Sequence, residues 1–363
     1  MNLKIRFFVR PVFCFSLTVA CLSQLVSCNP FSGPQPVLRQ EFVMDTSVSV
    51  TLYSPKSEQV FTRIFDMLKQ IDWHMRVQDK NSEITAINNA AGVKPVKVSA
   101  DTFAVATIAL DIARLSGGAY DPTIGPIVQL WNITAESPRV PEPIQIHKLL
   151  PLIDWRDVVL DPAASTVFLK RFGMQLDFGG TAKGFAAIEA ARICREAGVT
   201  SALLNMGDSS IFLLGNKPDG KPWRVGIQNP VPVSADQAVE RGQILGVVEY
   251  GDGVIETSGP YERFFTKDGK RYHHIMDPVT GAPVDTTLDQ VTVILPASTR
   301  MADGLSTSCI VLGLDKGMKF IEAIPGAAAI FVTGDRKVHL TSRAANLFTL
   351  KDAAFTLDKP ADR

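Results

Sequence analysis

Four short stretches of this sequence combine residue types that packing alone rarely demands. In Leu176-Asp177-Phe178-Gly179-Gly180-Thr181-Ala182-Lys183-Gly184, a strand-like run ends at two glycines and a helix follows. Free amides and the positive end of a helix dipole favour a phosphate there, with Lys183 as a mobile cation. The G-x-x-x-x-G-K-[ST] spacing is absent, so this is not a P-loop; a tight strand-to-helix turn is the other reading. Met301-Ala302-Asp303-Gly304-Leu305-Ser306-Thr307 sets Asp303 and Thr307 four residues apart, on one face of a helix start. A carboxylate beside a hydroxyl is a hard oxygen pair suited to Mg2+, although Asp and Thr also serve as helix caps. Two of the five histidines, His273 and His274, stand beside a turn. A near-neutral imidazole takes a proton from a hydroxyl nucleophile, while a histidine with no role is the plainer alternative. Finally, Ala119-Tyr120-Asp121-Pro122-Thr123-Ile124-Gly125-Pro126 is a stiff loop after a helix. Its fixed amides and carbonyls suit the edge of a flat heterocycle, or simply join two elements.

The elements that must hold these stretches are legible from pattern and punctuation. Val43 to Tyr53 alternates as a strand, and Pro55 and Ser57 open a helix on Val60, Ile64, Leu68 and Ile71. Ser82-Glu83 starts a short helix, and Ser99 caps another that runs from Phe103 to Leu115 and stops at Gly117-Gly118. A proline-rich excursion spans Pro138 to Pro143, and a hairpin over 158–160 and 166–169 turns at Asp161-Pro162. Met174 to Phe178 reads as a strand, followed by a helix to about Ala197. Strands are expected over 202–205, 211–214, 223–227, 246–250, 254–257, 291–295 and 329–332, and helices over 302–312 and 316–323. Strands and helices mix without βαβ alternation, which predicts an α+β fold.

Lys and Arg together number 37, as do Asp and Glu, so the chain lacks the cationic excess of a nucleic-acid binder. Lys4, Arg6 and Arg10 precede an uncharged apolar run from Val12 to Val26, too short to span a bilayer. The run ends in Leu25-Val26-Ser27-Cys28, which resembles a bacterial lipoprotein signal with Cys28 as the lipidated residue. Residues 1–27 are then a signal peptide and 28–40 a flexible tether. Asn29 leaves inner or outer membrane open. Cys194 and Cys309, in apolar helix-like stretches, read as core residues.

Taken together and in this order, the four stretches resemble the ApbE-like flavin transferases, which move FMN from FAD onto a threonine of another protein. The resemblance runs from Met44 to about Thr333 and includes Asp79 to Asn88, Leu152-Ile153-Asp154-Trp155, Trp223-Arg224-Val225-Gly226 and Thr257-Ser258-Gly259-Pro260-Tyr261-Glu262-Arg263. It implies a T-fold-like α+β architecture over 41–350, built of two closely packed subdomains with FAD between them, and a tail over 351–363. It implies Mg2+ held by Gly180, Asp303 and Thr307, and His274 as base, with His273 the less favoured alternative. Met44, Ala119, Tyr120, Asp121, Asp177, Lys183 and Ile275 would line the FAD site. The acceptor would be an exported subunit of an ion-pumping redox complex or a small FMN-carrying electron-transfer domain. Water in place of threonine would make the same site an FAD hydrolase, and a non-enzymatic flavin-binding lipoprotein would use part of it. The sequence departs from the pattern at Asp45 and Asp208, where the family tends to carry glycine. A carboxylate near the diphosphate would repel it unless a metal intervened.

Overall fold

The computed structural model describes residues 35–231 and 242–358. The signal peptide, Cys28 and the end of the tail lie outside the described residues. The elements begin with β1 (Val37–Val43), β2 (Thr46–Leu52), α1 (Ser57–Met75), α2 (Glu83–Asn89), β3 (Val96–Lys97), α3 (Ala100–Leu115), α4 (Gly125–Trp131) and α5 (Pro143–Leu149). They continue with β4 (Val158–Asp161), β5 (Thr166–Leu169), α6 (Ala182–Glu196), β6 (Ala202–Met206), β7 (Ser210–Leu214), β8 (Trp223–Gln228), β9 (Ile244–Tyr250) and β10 (Gly253–Ser258). They close with β11 (Phe264–Lys267), β12 (Lys270–His273), β13 (Leu288–Pro296), α7 (Leu305–Glu322), β14 (Ala328–Thr333), β15 (Lys337–Leu340), β16 (Phe348–Leu350) and β17 (Thr356–Asp358). No helix among them is long and apolar enough to cross a membrane.

Nine strands form one sheet in the order β1-β2-β6-β7-β10-β13-β14-β15-β17, antiparallel except for its last pair. Side chains alternate across a strand, and here the alternation sorts residues between two cores. Val254, Val293 and Phe331 join the core under the helices, while their neighbours Ile255, Ile294 and Ile330 face the other way. There they meet Trp223, Val225 and Val248 of a three-stranded sheet, β16-β9-β8. Buried on both faces, the central strands need apolar residues at nearly every position, which makes a charged residue within them conspicuous. The caps act as the sequence implies: Ser82 accepts from Thr85 N at 3.2 Å and Ser99 from Thr102 N at 3.3 Å. Each such cap is worth about 1 kcal/mol.

The α+β class holds, with corrections at several boundaries. The strand expected over 43–53 is two strands around a tight turn at Met44-Asp45, and β1 takes up residues 37–40 of the expected tether. Met174 to Phe178 joins no sheet beyond an isolated parallel bridge of Gln175 with Ile124, because its other polar groups find other partners. Asn88 donates to Leu176 O at 3.1 Å and accepts from Leu176 N at 2.8 Å, and Asp177 N donates to Pro122 O at 2.8 Å. The helices expected over 302–312 and 316–323 are two halves of α7, broken at Gly313 with φ +75°. Within the expected tail, Phe355 is buried and β17 pairs in parallel with β15. Both remaining cysteines, Cys194 and Cys309, are buried free thiols.

Candidate active site

The loops at one end of the large sheet converge on a cleft of about 830 Å³, at the large end of the range for small-molecule sites. Met44, Ala119, Tyr120, Asp121, Asp177, Gly180, Lys183, His274, Ile275, Asp303 and Thr307 all line it, although they come from segments spread over most of the chain.

The starts of α6 and α7 pack against each other beside the cleft. Thr181 precedes α6, and its hydroxyl accepts from Tyr120 Oη at 3.3 Å. A side chain at Gly180 would meet the Tyr120 ring at 2.9 Å, so only glycine lets this backbone lie against the tyrosine. A Cβ on Gly304 would lie 3.1 Å from the Gly180 carbonyl oxygen, which sets that carbonyl beside the start of α7. Asp303 is not the helix cap, nor is it inside the helix as the spacing suggested. Gly304 is the cap, and Asp303 precedes it in the left-handed region at φ +70°. Thr307 is in the first turn, and both side chains still line the cleft.

Asp303 Oδ2 is buried without a hydrogen-bond partner. A buried carboxylate oxygen with an open lone pair is costly unless something occupies it. Burial raises the Asp303 pKa, against the opposing pull of the Lys183 charge. With the Gly180 carbonyl and the Thr307 hydroxyl, the donors here are all oxygen, which fits a hard divalent cation. Among the described residues there is no group of three or more His, Cys, Asp or Glu, so such an ion would complete its shell from backbone, hydroxyl, water and ligand oxygens.

The two histidines separate cleanly. His273 is buried, accepts from Ile275 N at Nδ1 (3.3 Å) and so donates from Nε2 to Val284 O (3.1 Å). Both its nitrogens are committed. His274 lines the cleft, and its Nδ1 lies 3.3 Å from Arg263 O, so Nδ1 carries the hydrogen and Nε2 keeps its lone pair. Burial pushes the His274 pKa down to about 3, helped by the positive charges of Arg263 and Lys183, so the ring is neutral at pH 7.

Lys183, Arg263 and Arg76 are the cations lining the cleft, and Arg76 is paired with Asp72 and Asp45. Burial lowers the Lys183 pKa, with Asp303 opposing that shift. Burial raises the Asp177 pKa, while Gly179 N donates to its Oδ1 at 2.7 Å. Asp121 spends both carboxylate oxygens on protein donors: Oδ1 accepts from Thr123 N and Oγ1 of its own loop at 2.8 and 2.6 Å, and Oδ2 accepts from Trp155 N of a distant segment at 3.0 Å. It shapes the wall of the cleft rather than offering it a free carboxylate.

The two departures from the family pattern have a conformational explanation. Asp45 sits at φ +54° and Asp208 at φ +62°, in tight turns where glycine is the usual solution. Aspartate tolerates that region better than most residues. Asp45 pairs with Arg76 at 3.7 Å, and Asp208 exchanges two 2.7 Å hydrogen bonds with Asn205.

Sequence reasoning gave no role to Glu256, Ser258 or Arg263, although the last two belong to a motif it singled out. Glu256 is fully buried in the central strand β10. Its two oxygens accept from Asp303 N and from Ser306 N, the latter at 2.7 Å. Burial and the nearby Asp303 raise its pKa well above the carboxylate range. The available signal was an acidic residue directly after the apolar pair Val254-Ile255 of a central strand.

Comparison with known proteins finds relatives in both sequence and fold. The family model described as the ApbE family matches residues 44–331. The FAD:protein FMN transferase of Treponema pallidum is 35% identical over 358 residues, covering 94% of this chain and 96% of that protein. One from Klebsiella pneumoniae is 33% identical, covering 86% and 94%. Among solved structures, the ApbE protein of Thermotoga maritima superposes with a TM-score of 0.76 at 28% identity, covering 86% of this chain and 99% of that one. The flavin transferase ApbE from Vibrio cholerae gives 0.75 at 28%, with the same coverage. The chain belongs to the ApbE family.

Proposed function

We propose that the cleft transfers FMN from FAD to a threonine hydroxyl of an exported acceptor protein and releases AMP. FAD would lie between two closely packed subdomains, with Met44, Ala119, Tyr120 and Ile275 lining its site and Lys183 and Arg263 offsetting the diphosphate charge. The threonine oxygen bonds to the phosphorus of the FMN half. The bond from that phosphorus to the bridging oxygen breaks, and AMP leaves with that oxygen. The threonine proton passes to His274 Nε2. Such chemistry asks for alignment and charge neutralisation more than for a covalent intermediate. The Gly180 carbonyl, Asp303 and Thr307 would hold Mg2+, which when bound polarises the phosphoryl group and stabilises the leaving phosphate.

The observation that carries this reading is the pairing, within one cleft, of a histidine whose Nε2 is free with a buried carboxylate oxygen that lacks a partner. A module that only bound flavin would need neither. We further propose that the protein is exported and anchored at Cys28 to a bacterial membrane, facing the periplasm or the cell exterior. Support for this comes from the charged start, the apolar run and the Leu25-Val26-Ser27-Cys28 box.

In-gel flavin fluorescence of an acceptor tests the assignment. His274→Ala should bind FAD but lose transfer by about 10²–10⁴-fold, the usual worth of a positioned base. His273→Ala should retain transfer in whatever fraction folds. If His274→Ala transferred at the wild-type rate, the base would be misassigned.

A further inference from the structure

His274 follows directly on β12, at the open end of the β11–β12 hairpin. The hairpin pairs Phe264 with His273, and one residue further out His274 N donates to Arg263 O at 3.0 Å. These two strands form a sheet of their own, joined to none of the others. A lone two-stranded hairpin is marginal in water, so whatever packs against it decides where its open end points.

Trp131, at the end of α4, holds the chain on both sides of His274. Its ring lies 5.6 Å from that of Tyr272, two residues before the histidine, and Tyr272 stacks in turn on Phe265 at 5.2 Å. The indole Nε1 donates to Gly281 O at 2.8 Å, in the turn that follows the histidine. An indole N–H only donates and a carbonyl oxygen only accepts, so the direction of this bond is settled. The turn is braced from within. Val284 N donates to Ile275 O at 3.0 Å, Asp277 N to Ala282 O at 2.9 Å and Gly281 N to Asp277 O at 2.8 Å. Gly281 O is therefore tied to His274 through a closed turn rather than through slack chain.

Trp131 is buried with Ile127, Ile133 and Met276. Packing there asks only for an apolar ring, and the single hydrogen bond adds a fixed register. Its α4 neighbours Val128 and Gln129 line the large cleft, whereas Trp131 lines a separate cavity of about 260 Å³ with Tyr272 and His273. Trp131 thus reaches the chemistry only through the segment it holds. We propose that Trp131 is a positioning residue for His274, fixing the imidazole by its grip on Tyr272 before it and Gly281 after it. This rests on His274 being the base.

Trp131→Phe keeps a ring against Tyr272 and removes the bond to Gly281. The test measures transfer to an exported redox-pump subunit at saturating FAD and acceptor, FAD affinity by flavin fluorescence, and folding by circular dichroism. It does so for the full chain, for Trp131→Phe, for His274→Ala and for the double variant. A displacement of about 1 Å costs about 10² in rate, so Trp131→Phe should slow turnover about 10- to 100-fold, with FAD affinity and folding unchanged. In the His274→Ala background the same substitution should cost nothing further, because a residue that acts through another has no effect once that other is gone. Tyr272→Leu removes the other half of the grip and should behave alike; if Trp131→Phe does not fold, this variant carries the test. Wild-type turnover in Trp131→Phe, a loss explained by weaker FAD binding, or an equal loss in the His274→Ala background would overturn the proposal while leaving the base assignment intact. If His274→Ala itself turned over at the wild-type rate, the base assignment would fall, and this proposal with it.

Discussion

Gly184→Ala sets two effects against each other at the point where α6 touches the Asp303 turn. In a helix interior alanine is favoured over glycine by about 1 kcal/mol, so propensity alone predicts a more stable protein. The contacts predict the reverse. A Cβ on Gly184 would lie 2.1 Å from Ala302 O and 2.6 Å from Asp303 Cβ. Since C···O contacts settle at roughly 3.3 Å or more, the turn must retreat by about 1 Å, and the first atom met is backbone with no rotamer to escape into. Overpacking of this kind costs about 1–3 kcal/mol, so the net destabilisation is about 0–2 kcal/mol, which a domain of ordinary stability survives. The displaced atoms belong to the turn carrying Asp303, however, and a 1 Å misplacement is worth about 10² in rate. Gly184→Ala should therefore fold, melt at or a few degrees below wild type, and transfer flavin about 100-fold more slowly, with a raised Mg2+ requirement. The assay is calorimetric melting beside the rate of covalent flavin appearance on an acceptor. A variant that melts higher and transfers at the wild-type rate would refute the claim that this contact holds Asp303 in place.

Other outcomes follow from the same geometry. Asp303→Asn keeps the shape and removes the charge; because Gly304 rather than Asp303 caps α7, the fold should survive while activity falls, partly recovering at high Mg2+, and EDTA should silence the wild type. Full activity of Asp303→Asn at low Mg2+ would count against the metal role. His274, held near pKa 3 by burial and neighbouring cations, should show no NMR titration between pH 5 and 8, whereas a midpoint near the ordinary value of about 6.5 would contradict its environment. An unfolded histidine titrates near that ordinary value and the folded one far lower, so stability present above pH 6.5 from this group should be lost as the pH falls below it. Cys28→Ala should leave the membrane fraction or stall in processing, and wild type found wholly in periplasmic extract would refute the anchor.

The parts legible in the sequence were those whose causes are local. Val60, Ile64, Leu68 and Ile71 face one core because their spacing matches the helix period, and Ser82 and Ser99 cap because a serine before a helix has free amides to bind. The candidate site was legible because its chemistry sits in short runs, so His274, Asp303 and Thr307 could be named without knowing how the loops meet. Less accessible were features set by distant partners. Met174 to Phe178 has strand composition, yet Asn88 from far upstream takes its hydrogen bonds. The β11–β12 hairpin turns at Asp268 and Gly269, both with positive φ. That dipeptide is a strong turn signal, and the pairing of the short strands on either side of it depends on their packing rather than on a clear alternation. Glu256 became intelligible only once the start of α7 was seen above it, because sequence distance conceals a bond spanning 47 residues.

The fate of the FMN half of FAD separates transfer from hydrolysis. The most direct measurement mixes the wild-type protein with FAD, Mg2+ and an exported redox-pump subunit, then quantifies AMP and acceptor-bound flavin in the same sample. Transfer predicts equal amounts of the two, with the flavin on a threonine and both products forming about 10²–10⁴-fold more slowly when His274 is replaced by alanine. AMP released with free FMN and an unmodified acceptor would contradict it and make the cleft a hydrolase.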